Sequence, residues 1–281
     1  MSFKSMLVFV DEAEDSSDRL DFACNLAAQH GAHLSVLAMT RQIAPYVAAG
    51  LDAGAAAIDV GLIEESRKTA QSMAEAAKKA MDARDQIGDV RWASLDIYGL
   101  HGTAALHGRH SDLVIIGQPV NEQNVGLREA AFEGALLSSG RPVMVVPSAN
   151  EGTCATKHVV VAWDASREAA RAVSDAASLV DSAEKVTVVV VDPRPDYEGF
   201  GQDPGADIAQ VLARHCSNVK LDAIPSSGGS IAQALLRRTM DVNGNLLVMG
   251  GYGHSRLRES VFGGVTHEII RQAQIPLLMS H

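Results

Sequence analysis

The residues best placed to do chemistry run from Asn245 to Thr266, NLLVMGGYGHSRLRESVFGGVT. A short apolar run, Leu246 to Met249, stops at Gly250 and Gly251. Tyr252 and Gly253 follow, then nine residues from His254 to Phe262, then a second pair, Gly263 and Gly264, before Val265 and Thr266. An apolar run of this length cut by glycine predicts a buried parallel strand. Glycine at its end lets the chain turn sharply and lets backbone N–H groups approach a ligand. A glycine pair opening a segment with helical spacing (Val265, Ile269, Gln272, Ala273) leaves unpaired N–H donors at the positive end of a helix dipole, beside the Thr266 hydroxyl. The chemistry this spacing suggests is a phosphate cradle. The alternative is that the glycines only shape a tight loop.

A cradle of this kind needs a sheet behind it, and the chain supplies the pattern twice. Met6 to Val10, followed by Asp11, is echoed by His158 to Asp164 (HVVVAWD). A helix with Ser16, Ser17 and Asp18 as N-cap candidates is echoed by Ser166 to Val180. His33 to Met39 is echoed by Val186 to Val191, Leu113 to Gly117 by Leu246 to Gly250, and Arg141 to Val146 by Ile275 to Met279. Such self-similarity reads as duplication. The alternation of strands and helices predicts a parallel sheet with helices on both faces in each half. Ser148 to Thr156 (SANEGTCAT), small and polar, reads as the linker between domains 1–148 and 157–281. Glu64 to Arg84 is patterned as a helix. The Ala- and Gly-rich stretch Val47 to Gly61 reads as a loop, and Thr103 as the cap of a short helix ending near His110.

The first half departs from the second at the chemical stretch. After Gly117 come Gln118, Pro119, Val120 and Asn121, and the later glycine stands as Glu133-Gly134. Proline removes a donor and a carboxylate repels phosphate, so the first half is expected to be degenerate and structural. In an open α/β sheet, ligands sit beyond the carboxyl ends of the strands where the strand order reverses. An order that sets their two strands side by side at that reversal would make Asp164 and the Gly250 loop face one crevice. Asp164 is read either as an acceptor for ligand hydroxyls or N–H groups or as a helix cap before Ser166. Trp163 stacks on a ligand ring or packs in the core.

Composition narrows the function classes. The chain has 281 residues, 47% hydrophobic but only 4% aromatic, with a net charge of -10. Two aliphatic-cored domains fit that length. The acidic balance argues against nucleic acid or an anionic membrane as partner, although Arg256, Arg258 and Arg271 make one locally basic region. Cys24, Cys154 and Cys216 are scattered, without metal spacing, and read as reduced thiols of a cytoplasmic protein. No apolar stretch approaches the roughly 20 residues of a membrane span. Ser227, Gly228 and Gly229 are not followed by the Asp-Ser of a pyrophosphatase-type loop; Ser230 to Gln233 is instead a capping box. No GxGxxG or GxxxxGK[ST] is present, and the ten histidines form no HExxH or other catalytic constellation. Catalytic residues and metal ligands are therefore both expected to be none.

The spacing G-x2-G-x9-G, from Gly250 through Gly253 to Gly263, resembles the nucleotide-binding motif of the universal stress protein family. That family usually has Ser or Thr straight after the last glycine, where this chain has Gly264; Thr266 matches a common family position. The resemblance spans nearly the whole chain and is strongest from Lys157 to His281. It implies two tandem Rossmann-like domains of the adenine nucleotide α-hydrolase type, each a five-stranded parallel sheet of order 3-2-1-4-5, packed as an internal pseudo-dimer. Their last strands should pair at the edges, and a further homodimer is open. It also implies that the second half binds ATP, ADP or AMP, with Mg as a possible companion. Asp164 would lie by the adenosine and backbone at Val190 and Val191 by the adenine. Ala162, Trp163, Met249, Gly250, Tyr252, Gly253, His254, Gly263, Gly264, Val265 and Thr266 complete the implied site. The function implied is a cytoplasmic stress-response regulator with an unknown protein partner, at most a weak ATPase. The competing readings are a scaffold that binds no nucleotide and a slow ATPase or self-phosphorylating protein.

Overall fold

The computed structural model describes residues 2–42, 53–120, 125–150, 154, 156–193, 203–253 and 264–281. The chain packs as two compact units, one built on Phe3–Arg141 and Ser148–Cys154, the other on Pro142–Pro147 and Ala155–His281.

In the first unit the elements run β1 (Ser5–Val10), α1 (Ser16–His30), β2 (His33–Arg41), α2 (Ala53–Asp82), β3 (Gly88–Leu95), α3 (Ile97–Gly108), β4 (Leu113–Gly117) and α4 (Val125–Ser138). β1 pairs in parallel with β2 and β4, and β2 with β3, giving the order β3-β2-β1-β4. The central strands are apolar on both faces because helices cover both: Met6 to Val10 and Leu113 to Ile116 are all buried. Each such Val, Leu or Ile contributes about 1.5–3 kcal/mol on leaving water. Gly31, at φ 58°, closes α1 in the left-handed conformation, its N–H satisfying the last carbonyls of the helix.

The second unit contains β5 (Val143–Val146), β6 (His158–Ala162), α5 (Arg167–Asp175), α6 (Ala177–Asp181), β7 (Lys185–Val191), α7 (Ala206–Leu212), β8 (Val219–Ile224), α8 (Ile231–Asp241), β9 (Leu246–Gly250), α9 (Gly264–Gln272) and β10 (Leu277–Ser280). The parallel pairs β8-β7, β7-β6, β6-β9 and β9-β10 give the 3-2-1-4-5 order. The fold class is thus α/β, with two tandem Rossmann-like repeats. β5 follows the first repeat in sequence but belongs to the second unit. It pairs antiparallel with β10, Val143 opposite Met279 and Val145 opposite Leu277. The apolar edge that β10 would otherwise present is therefore occupied by the last strand of the other repeat.

Three local readings of the sequence change. Residues 53–61, taken as loop, are the start of α2; alanine has the highest helix propensity, and scarcity of charge does not oppose it. The rest of that stretch lies outside the described residues. α3 starts at Ile97, capped by the Asp96 carboxylate accepting from the Gly99 N–H (2.7 Å), which leaves Thr103 in mid-helix. Glu133-Gly134 is also mid-helix, in α4, where a Cβ on Gly134 would stand 2.2 Å from the His101 carbonyl oxygen. That glycine serves the close approach of α3 and α4, not a phosphate loop.

Candidate functional site

In the second unit strand order reverses between β6 and β9, and both strands end at one crevice. Past β6, the Trp163 N–H donates to the Val189 carbonyl (2.9 Å), so the chain follows β7 one residue further. It then turns through Ala165, at φ 56°. Asp164 Oδ1 fixes this turn by accepting from the Ser166 N–H (3.0 Å) and hydroxyl (2.6 Å). Ser166 Oγ in turn accepts from the Ala169 N–H (3.1 Å) and caps α5. The cap is therefore Ser166, braced by Asp164. Asp164 is exposed to the crevice, and its Oδ2 accepts no hydrogen bond among the described residues.

Past β9, each glycine has its own reason. A Cβ on Gly250 would lie 2.6 Å from the Ala169 backbone nitrogen and 2.7 Å from the Glu168 carbonyl carbon, so this glycine permits close packing of β9 on α5. Gly251 donates to the Ser280 carbonyl (2.8 Å), and Tyr252 takes the uncommon φ of 58°. The Tyr252 N–H donates to Thr266 Oγ1 (3.3 Å), tying the turn to the first turn of α9. A Cβ on Gly253 would stand 3.2 Å from Glu168 Oε2. One on Gly264 would meet nothing within 4 Å among the described residues.

These pieces enclose a cavity of about 390 Å³, within the usual size range for small-molecule sites. Ala162, Trp163, Asp164, Met249, Gly250, Tyr252, Gly253, Gly264, Val265 and Thr266, all singled out in the sequence, line it together. His254 and Gly263 lie outside the described residues. Val190 does not line the cavity. Strand alternation turns its side chain to the opposite face, toward Gly205, and brings Val189 and Val191 to the cavity instead. Sequence reasoning missed Glu168 and the apolar pair Ile231 and Leu235, whose i,i+4 spacing on α8 was the available signal.

Glu168 sets the electrostatics of this wall. It is only 3% exposed and accepts from Arg167 Nε at 2.6 Å. Burial works to raise its pKa, but the Arg167 hydrogen bond and charge, with His281 nearby, outweigh burial and hold the carboxyl below its ordinary value. The described wall therefore carries two carboxylates, Asp164 and Glu168, among apolar side chains. Among the described residues no group of three or more His, Cys, Asp or Glu could hold a metal ion.

The corresponding place in the first unit is filled. Asp11 Oδ1 accepts from the Ala13 N–H (3.0 Å), the same turn that Asp164 makes. Its Oδ2 also accepts from Arg19 Nη2 (2.9 Å) and Arg128 Nε (2.8 Å). Arg128 further donates to both oxygens of Asp15 and to the Gln118 carbonyl (2.7 Å). Arg128 and Arg19 are 0% and 2% exposed. A Cβ on Gly117 would fall 1.5 Å from Arg19 Nη1, so this guanidinium lies directly on the end of β4. Buried arginines are stable only when paired, and each here has a carboxylate partner. Gln118 and Pro119 gave no hint of this clamp. Arg19 beside the apolar Leu20, and Arg128 beside the apolar Leu127 of α4, were the residues that carried it.

Residues 155–281 match the model described as the universal stress protein family. A universal stress protein from Synechocystis is 40% identical over 50 residues, 18% of this chain and 17% of that protein, so the match spans about a sixth of the relative's length. A universal stress protein structure from Archaeoglobus fulgidus superposes over 98% of this chain and 95% of its own, with a TM-score of 0.71 at 17% identity. A shorter universal stress protein solved in complex with cAMP covers 44% of this chain and 97% of its own, at 21% identity and a TM-score of 0.35. The segment 155–281 thus belongs to the universal stress protein family, and the whole chain shares the fold of a universal stress protein of comparable length. Among the described residues, no helix is long and apolar enough to cross a membrane.

Proposed function

We propose that this chain binds one adenine nucleotide, in the crevice between β6 and β9 of the domain spanning 157–281, and works as a nucleotide-responsive regulator of the stress response in the cytoplasm. The observation that carries this reading is the cavity of about 390 Å³ at the switch in strand order, where a Gly264 Cβ would meet none of the described residues. The start of α9 offers N–H donors at the positive end of the helix dipole for phosphate. Trp163, Val189 and Val191 offer apolar surface for a base. Asp164 Oδ2, which accepts no hydrogen bond among the described residues, offers an acceptor for ribose hydroxyls. Mg would reach the site with the phosphates, as it commonly binds through one or two carboxylates plus phosphate oxygens.

Glu168 favours a second reading. Its carboxylate lies beside Gly253, where a phosphate would be repelled, and a scaffold that binds protein and no nucleotide would tolerate that placement. Calorimetric titration with ATP, ADP and AMP separates the two. The first reading expects saturable binding by wild type and loss of at least most of it in Gly264→Val, which has room to fold. Absence of heat at millimolar nucleotide leaves the scaffold.

A further inference from the structure

The first unit holds another cavity, of about 410 Å³, at the amino-terminal ends of β1 and β2, away from the Asp11 clamp at their carboxyl ends. Ser5 and His33, which begin these strands, are directly paired there. Arg91 from β3, His107 from the end of α3 and His110 just beyond it complete a wall with one guanidinium and three imidazoles. The carboxylates at hand are already engaged. Asp89 Oδ1 accepts from Ser35 Oγ (2.7 Å) and lies 3.8 Å from His33 Nε2, while Oδ2 accepts from Arg91 Nε (2.9 Å). Asp112 Oδ2 accepts from the Lys4 and Ser5 N–H groups (2.8 and 3.0 Å). The Gly108 carbonyl at the end of α3 accepts from the Ser111 N–H and hydroxyl, which covers the negative end of that helix. The imidazoles of His107 and His110, by contrast, make no hydrogen bond among the described residues, and Arg91 keeps both terminal nitrogens for a further acceptor.

We infer that this cavity binds a small phosphorylated molecule, its phosphate held between the His107 and His110 imidazoles and the Arg91 guanidinium. Guanidinium and imidazolium N–H donors are the groups that hold phosphate most strongly. The Ser35 and Ser111 oxygens, which donate their own protons elsewhere, remain to accept from hydroxyls on the rest of the molecule. The site answers to pH. Burial first, then the Arg91 and His110 charges, lower the His107 pKa against the opposing pull of Asp89, with His33 on the facing strand. An anion in the cavity opposes that shift, so protonation of His107 and anion binding support each other.

The test uses the full chain and inorganic phosphate, read by the imidazole nitrogen signals in NMR, which report this cavity separately from any phosphate bound in the second unit. Saturable shifts of His107 and His110 are expected at about pH 6. Arg91→Gln should weaken them. His107→Gln and His110→Gln, each made singly in case the double variant does not fold, should each weaken the shifts of the remaining imidazole, with circular dichroism unchanged. Three results would overturn the inference: no saturable shift, shifts of undiminished affinity in these variants, or displacement of phosphate by zinc as the preferred occupant.

Discussion

The two repeats begin their crevices alike and finish them differently. Each first strand ends in an aspartate, Asp11 or Asp164, whose Oδ1 accepts from the backbone N–H two residues on at 3.0 Å. Four residues later each carries a second carboxylate, Asp15 or Glu168, and eight residues later the first repeat has Arg19 where the second has Ala172. In the first repeat Arg19 and Arg128 fill the crevice and neutralise both carboxylates. In the second, Glu168 is neutralised from outside by Arg167, whose side chain is 85% exposed, and a cavity of about 390 Å³ remains. One scaffold thus becomes a structural clamp or an open site according to where its cations come from.

Removing the clamp should have the largest effect. Arg128→Ala leaves Asp11 and Asp15 buried without their main partner, and breaking such a group typically costs about 3–5 kcal/mol. Urea unfolding should show a loss of that size. A loss under about 1 kcal/mol would mean that water reaches these carboxylates and that the crevice is not sealed.

Acid should sharpen the same contrast. Burial tends to raise the pKa of Asp11 and Asp15, but the charges and hydrogen bonds of Arg19 and Arg128 hold both below the ordinary aspartate value. Folded values below the unfolded value of about 3.9 mean stability that is fully present above that pH and lost as pH falls through the folded values. Thermal denaturation followed from about pH 6 to pH 3 should show this decline. Asp15→Asn should flatten it, and an unchanged slope would count against the clamp.

A smaller effect is expected at the open site. Asp164→Ala removes an acceptor for one uncharged hydroxyl and should weaken nucleotide by about 0.5–1.5 kcal/mol, a few-fold to tenfold. Ser166 still caps α5 in that variant, so stability should change little. Binding that is unaffected would return Asp164 to a role in the turn alone.

What the sequence allowed followed from periodicity and punctuation. The apolar runs at Met6 to Val10, Leu113 to Gly117 and Leu246 to Gly250, each closed by a polar or glycine residue, were enough for the strands, while their order, and with it the place of the crevice, came from what the family resemblance implied. Of the expected lining, Ala162 to Asp164, Met249, Gly250, Tyr252, Gly253 and Gly264 to Thr266 do meet in one cavity. The rest was hidden for physical reasons. Glu168 and Arg167 are adjacent helix residues of the kind that usually face solvent, and only packing of β9 on α5 buries one of them. Arg128 stands 117 residues from Asp11, and no local pattern announces a pair at that separation. The side to which Val190 points depends on strand register, where a slip of one residue exchanges the faces. Whether Gly250 serves ligand or packing depends on how closely α5 approaches, a distance that exists only in the fold.

The most direct test of the account is the number of nucleotides the chain binds. Isothermal titration with ATP of the full chain carrying Arg91→Gln, so that the His107 cavity does not contribute, should give one site per chain, abolished or strongly weakened by Gly264→Val and unaffected by Gly117→Ala wherever that variant stays folded. Two equivalent sites per chain would contradict the sealed first crevice, and none would contradict the open second one.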